Sequence, residues 1–102
     1  MAYVILWEFR PRPGQESEFE AVYGPQGEWA RLFGRSPEYL GTELLLDAED
    51  ASRYLTVDRW ISRVAYEEFQ RTHLSEYREL DRRCEQLTSH EAPFGTFNTL
   101  ES

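Results

Sequence analysis

At 102 residues, with 40% hydrophobic, 15% aromatic and 29% charged side chains, the chain is long enough for one packed core and too short for two. A formal net charge of −8 argues against nucleic acid or an anionic membrane surface as partner, because both need clustered cations. All eleven cationic side chains are arginine, which removes lysine Schiff-base chemistry, and the single cysteine, Cys84, can form no internal disulfide.

The first element is "YVILWEFR" (3–10), rich in β-branched and aromatic residues and apolar on both faces at its start, as expected of a strand covered on both sides. "RPRPG" ends it, since proline cannot continue a central ladder. In "QESEFEAVY" the apolar residues Phe19, Val22 and Tyr23 recur at helical spacing, with acidic residues in the early turns. "YGPQG" interrupts that helix, "EWARLF" resumes it and "GRSP" ends it. "YLGTELLL" (39–46) and the alternating "RYLTVDRWI" (53–61), joined by the acidic turn "DAEDAS", read as a hairpin. Ser62 is a fitting N-cap for a helix over 63–71. A further helical stretch runs from about 73 to 87, either continuous with the first or split from it, and "APFGTFNTL" is the last strand.

The order β-α-β-β-α-β predicts one α+β, ferredoxin-like domain over 1–102, with a four-stranded antiparallel sheet and helices on one face. The face of the 53–61 strand that carries Tyr54, Thr56, Asp58 and Trp60 is unusually aromatic, and it is expected to pack against a second copy of the chain about a two-fold axis. No leader or membrane-length apolar run is visible, and the lone thiol suits a reducing, cytoplasmic compartment.

The segments "YVILWEFRPRPGQESEFE", "YLGTELLLD" and "RYLTVDRWISRVAYEEF" together resemble the antibiotic biosynthesis monooxygenase family of the dimeric α/β-barrel superfamily. The resemblance implies a homodimer whose sheets pair into a barrel, with a pocket between sheet and helices in each subunit. It implies small aromatic substrates such as phenols, quinols or polyketides, oxidised without metal or organic cofactor. Many members carry a histidine at the positions held here by Phe69 and Gln70; the nearest histidine in this chain is His73. The first strand has no asparagine, which argues against the haem-degrading branch of the family.

Within that frame Trp60 corresponds to the family's strand-end tryptophan, either an aromatic wall for a flat substrate or a packing residue. A continuous helix from 63 would align Tyr66, Phe69, Gln70, His73 and Tyr77 on one stripe. His73 is then the candidate acid/base, aided by Tyr77; the competing reading places it at a helix junction facing solvent. Tyr66 and Tyr77 either hold a substrate oxygen or serve as core rings. Asp58 and Glu43 either face an apolar pocket, where a carboxyl becomes a usable base, or pair with Arg59 or Arg53. Phe69 and Gln70 complete the expected substrate-binding set of Trp60, Tyr66 and Asp58. His90 reads as a loop residue without a motif, and no metal-ligand or nucleotide motif occurs. A cofactor-free monooxygenase fits these residue types; a non-catalytic, small-ligand-binding or structural homodimer of the same fold is the alternative.

Overall fold

The computed structural model describes residues 1–100. Strand β1 (Tyr3–Pro11) is followed by helices α1 (Glu16–Tyr23) and α2 (Glu28–Phe33), then by strands β2 (Tyr39–Leu46) and β3 (Tyr54–Trp60). Helices α3 (Arg63–Thr72) and α4 (Leu74–Cys84) precede strand β4 (Thr88–Asn98). The four strands form one antiparallel sheet in the order β2-β3-β1-β4, the ferredoxin-like arrangement expected from the sequence. The sheet of a single chain is open and does not close into a barrel.

Local chemistry explains the punctuation. Gly27, at the corner between α1 and α2, is buried so closely that a Cβ would lie 2.2 Å from the Val22 carbonyl oxygen, so no larger residue fits. The Ser62 hydroxyl accepts a hydrogen bond from the Ala65 amide at 3.1 Å, capping α3 as expected. The second helical region is split: His73 ends α3 and starts α4. Helix α4 stops at Cys84, short of the expected residue 87, because β4 begins at Thr88. His90 therefore lies in a strand rather than a loop, with Nε2 3.0 Å from a Glu8 carboxylate oxygen.

The aromatic face of β3 is where the structure corrects the sequence reading. Tyr54, Thr56, Asp58 and Trp60 pair with Phe9, Trp7, Ile5 and Tyr3 of β1, and the rings of this face pack under the helices rather than against a second chain. Two ring clusters hold sheet and helices together. At one end of the β1–β3 pair Phe19 contacts Phe9, Tyr23 and Tyr54 at centroid distances of 5.5, 4.4 and 4.9 Å. At the other end Trp60 contacts Phe33, Tyr39, Tyr66 and Phe69 at 5.6, 5.3, 5.4 and 5.2 Å. Phe19 and Trp60 are both 0% exposed. The opposite face has no helix over it and mixes Leu45, Phe94 and Phe97, all exposed, with Glu8, Arg53 and the Arg59–Glu43 ion pair. Glu43 thus faces away from the helices.

Truncation of a ring at the centre of such a cluster removes its transfer energy and leaves a void. Phe19→Ala is expected to lower the unfolding free energy by about 3–5 kcal/mol. Urea denaturation measures this, and a loss below about 1 kcal/mol would show that the cluster does not hold α1 to the sheet.

Candidate functional site

Between the two ring clusters the same face of β3 carries short side chains. Tyr54 and Trp60 are large, whereas Thr56 and Asp58 between them are small, so the helices are propped off the sheet at both ends and a void of about 120 Å³ remains in the middle. Its floor is Ile5, Trp7 and Phe9 of β1 with Thr56 and Asp58 of β3. Its roof comes from Tyr66 of α3 and from Tyr77 and Asp81 of α4, and Tyr23, Trp29 and Phe33 of the α1–α2 region close one side. Glu91 of β4 completes the wall.

Two β-bulges set the polar groups at and behind the wall of this space. A register shift in β2 between Tyr39 and Gly41, where Gly41 adopts φ +133°, puts Tyr39 and Thr42 on the same face although they are three residues apart. Tyr39 and Thr42 share a 2.5 Å hydrogen bond between their hydroxyls, and Thr42 donates to an Asp58 carboxylate oxygen at 2.6 Å. The second shift lies in β4, where Pro93 pairs with Trp7 while Gly95 pairs with Leu6. Without it Glu91 would share the helix-free face with Phe97; with it Glu91 pairs with Phe9 on the cavity side.

Asp58 is the cavity residue whose titration the site moves toward neutral pH. Burial disfavours its charged form and pushes its pKa from 3.8 up to about 6, against the opposing pull of the Thr42 hydrogen bond. Burial also raises the pKa values of Tyr66 and Tyr77, so both phenols stay protonated and available as donors. At the β4 end of the cavity Asp81 and Glu91 are exposed at the rim. Their pKa values are raised by partial desolvation and by the charge of Glu85, with Asp81 adding to the effect on Glu91. No arginine or histidine lines the cavity.

Of the residues proposed from sequence, Asp58, Tyr66 and Tyr77 meet in this cavity. Trp60 and Phe69 stand behind the wall as buried packing rings, and the Trp60 indole N–H has no hydrogen-bond partner. Gln70 borders a separate shallow depression between α3 and α4 that also touches Tyr77. His73 lies outside the cavity. Its ring rests 5.0 Å from that of Phe69, its side chain is 21% exposed, and Nδ1 is 3.3 Å from a Glu76 carboxylate oxygen. The break between α3 and α4 turns it from the stripe that Tyr66 and Tyr77 share. Sequence reasoning missed Trp29, Phe33, Asp81 and Glu91, which reach the site only through helix packing and the β4 bulge. One signal was present: the large-small-small-large series Tyr54, Thr56, Asp58, Trp60 marks a gap in an otherwise filled face. Among the described residues no group of three or more His, Cys, Asp or Glu side chains is placed to hold a metal ion, and no helix is long and apolar enough to cross a membrane.

An open ferredoxin-like sheet is roofed by helices, with an aromatic cavity between them. The sequence profile of the antibiotic biosynthesis monooxygenase family matches residues 2–80, and the chain belongs to that family. Solved structures share the fold at low sequence identity. An antibiotic biosynthesis monooxygenase from Nitrosomonas europaea, so described provisionally, superposes with a TM-score of 0.72 at 15% identity, covering 97% of this chain and 90% of that one. SnoaB, a cofactor-independent oxygenase from Streptomyces nogalater, gives 0.69 at 20% identity, covering 99% and 95%. Rv0793 from Mycobacterium tuberculosis gives 0.66 at 18% identity, covering 100% and 98%. None of the curated proteins matches the chain in sequence.

The raised pKa of Asp58 has a consequence for stability. A carboxyl with a folded-state pKa above its unfolded value contributes most when protonated, and that contribution is lost as pH rises from about 4 through about 6. Asp58→Asn cannot ionise, so its melting temperature relative to the wild type is expected to climb between pH 4 and pH 7. A difference that stays flat or falls with pH would mean that Asp58 is not desolvated.

Proposed function

We propose that this protein is a cofactor-independent monooxygenase that oxidises a single-ring phenol or hydroquinone, with Asp58 as the general base. The observation that carries the reading is a desolvated carboxyl of pKa about 6 in an aromatic cavity, beside two protonated phenols. Family membership and the likeness to SnoaB support the reaction class. The size of the void supports one ring: a cavity of roughly 150 Å³ holds benzene, and this one measures about 120 Å³. A three-ring anthrone would require the helices to part.

In this mechanism the Asp58 carboxylate takes the proton of a substrate hydroxyl, which leaves an electron-rich anion. That anion transfers an electron to dioxygen. The resulting superoxide and substrate radical combine at a ring carbon, and loss of water leaves a hydroxyquinone. One oxygen atom enters the product and the other leaves as water, so hydroquinone plus dioxygen gives hydroxyquinone plus water with no other reductant. Tyr66 and Tyr77, held protonated by burial, donate to the developing oxyanion, and the surrounding rings keep the anion from bulk water.

Oxygen uptake with substituted hydroquinones is expected to exceed that with anthrones. Its kcat/KM should rise with pH and level off above about 6 as Asp58 ionises. Asp58→Asn should lower kcat by roughly 10²–10⁴-fold, the usual contribution of a general base, whereas His73→Ala should change it little. Equal loss in both variants would return the base role to the His73–Tyr77 pair. Ligand binding without any oxygen uptake would instead establish a non-catalytic binding protein.

The helix-free sheet face is proposed as the seat of a homodimer. Exposed Leu45, Phe94 and Phe97 lie there beside buried Val4 and Val57, a patch suited to self-association about a two-fold axis. Phe97→Asp is expected to convert a dimer to monomers in sedimentation velocity at micromolar concentration. An unchanged sedimentation coefficient would place the interface elsewhere.

A further inference from the structure

The cavity is charged at both ends and by one sign only. Asp58 lies on β3, Glu91 lies on β4, and β1 runs between those strands. The two ends are thus separated by two strand spacings across the sheet and four residues along it, since Asp58 pairs with Ile5 and Glu91 with Phe9 of β1, roughly 16 Å at the backbone. Asp81 joins Glu91 at the rim. Elsewhere in the protein acidic side chains find arginine partners: Arg10 pairs with Asp50, Arg35 with Glu76, Arg53 with Glu8 and Asp47, Arg59 with Glu43, and Arg83 with Glu28. None of these cations reaches the cavity.

Rings surround the doubly acidic end. Tyr77 stands edge-on to Trp29 at 5.0 Å, and Tyr23 lies 6.2 Å from Trp29 on its other side. Tyr23 and Trp29 are 6% and 8% exposed, and the Trp29 indole N–H is buried without a hydrogen-bond partner, so this wall is fixed rather than a loose surface cluster. Aromatic faces combined with carboxylates are the chemistry that recognises an ammonium ion, through ring quadrupoles and charge-assisted hydrogen bonds. A carboxylate or phosphate group on the ligand would meet like charge from Asp81 and Glu91 here. The carboxylates are spread over β3, α4 and β4 and do not converge as a metal-ligating set.

We infer that the ligand of this cavity is a single-ring phenol bearing a protonated amine on the side opposite its hydroxyl, with the ammonium group between Asp81 and Glu91 and the hydroxyl at Asp58. This rests on the reading of the cavity as the substrate site and adds the charge and length of the molecule that fills it. Asp58 receives the acidic proton at one end, and the rim carboxylates fix the ring's orientation at the other.

Isothermal titration under anaerobic conditions separates binding from oxygen chemistry. Three probes of one shape serve: 4-(aminomethyl)phenol, 4-(hydroxymethyl)phenol and 4-hydroxybenzoate. The amine is expected to bind roughly ten- to hundredfold more tightly than the alcohol, the range given by a hydrogen bond to a charged group, and the benzoate least of all. Asp81→Asn and Glu91→Gln, made singly, should each lower the ratio of amine to alcohol affinity. Either change removes a like charge from the rim, and thermal unfolding of each variant verifies that it is folded. Equal binding of amine and alcohol would overturn the inference and leave the cavity as the substrate site. A preference that survives both substitutions would overturn it as well. No binding by any of the three would remove both the inference and the single-ring substrate reading.

Discussion

Trp60 and Phe19 have no exposed surface, and each is the hub of a ring cluster wedged between sheet and helices. The clusters stand at opposite ends of the β1–β3 pair and act as pillars. Well-packed interiors seldom tolerate voids larger than a water molecule. A void persists here because the pillars are rigid and bulky while Thr56 and Asp58, midway between them, are short. The helices cannot settle onto the short residues without crushing the rings. The positions of floor and roof follow from this spacing: α3 and α4 hang Tyr66, Tyr77 and Asp81 over the gap, and β1 runs Ile5, Trp7 and Phe9 beneath it.

The second constraint is electrostatic. With a net charge of −8 the chain has more carboxylates than arginines to pair with them. Its arginines are spent on the outside: across the hairpin turn at Asp47 and Asp50, on the helix-free sheet face, and between the helices. The carboxylates at the cavity have no cation opposite them, and desolvation of Asp58 is opposed only by the Thr42 hydrogen bond. A base active near neutral pH can therefore be made from an ordinary aspartate, by burial and by the omission of a partner. His73 itself sits at the helix break, outside the cavity.

The element order, the strand-ending prolines, the Ser62 cap and the glycine-marked corner between α1 and α2 were all legible in the chain. Each depends on residues within a few positions of one another, where backbone sterics and hydrogen-bond periodicity dominate. Family membership was legible for the same reason, through the hairpin and the turn into α3. Asp58, Tyr66 and Tyr77 could be nominated as pocket residues because strand and helix periods place them on inward faces. The direction of His73 could not be read, since a one-residue break in a helix rotates all that follows it.

What the sequence determined by itself is thus the local grammar: which segments are strands and helices, and which of their faces are apolar. Tertiary structure alone decided which sheet face the helices cover, and so reversed the assignment of the Tyr54–Trp60 face from a subunit contact to a cavity floor. It also decided the phase of β2 and β4 on either side of their bulges, which turned Thr42 toward Asp58 and Glu91 into the rim. A bulge changes side-chain phase by one residue at a place set by pairing with a distant strand, and a face is apolar before anything is known of what covers it. Both are properties of long-range contacts, which no window along the chain contains.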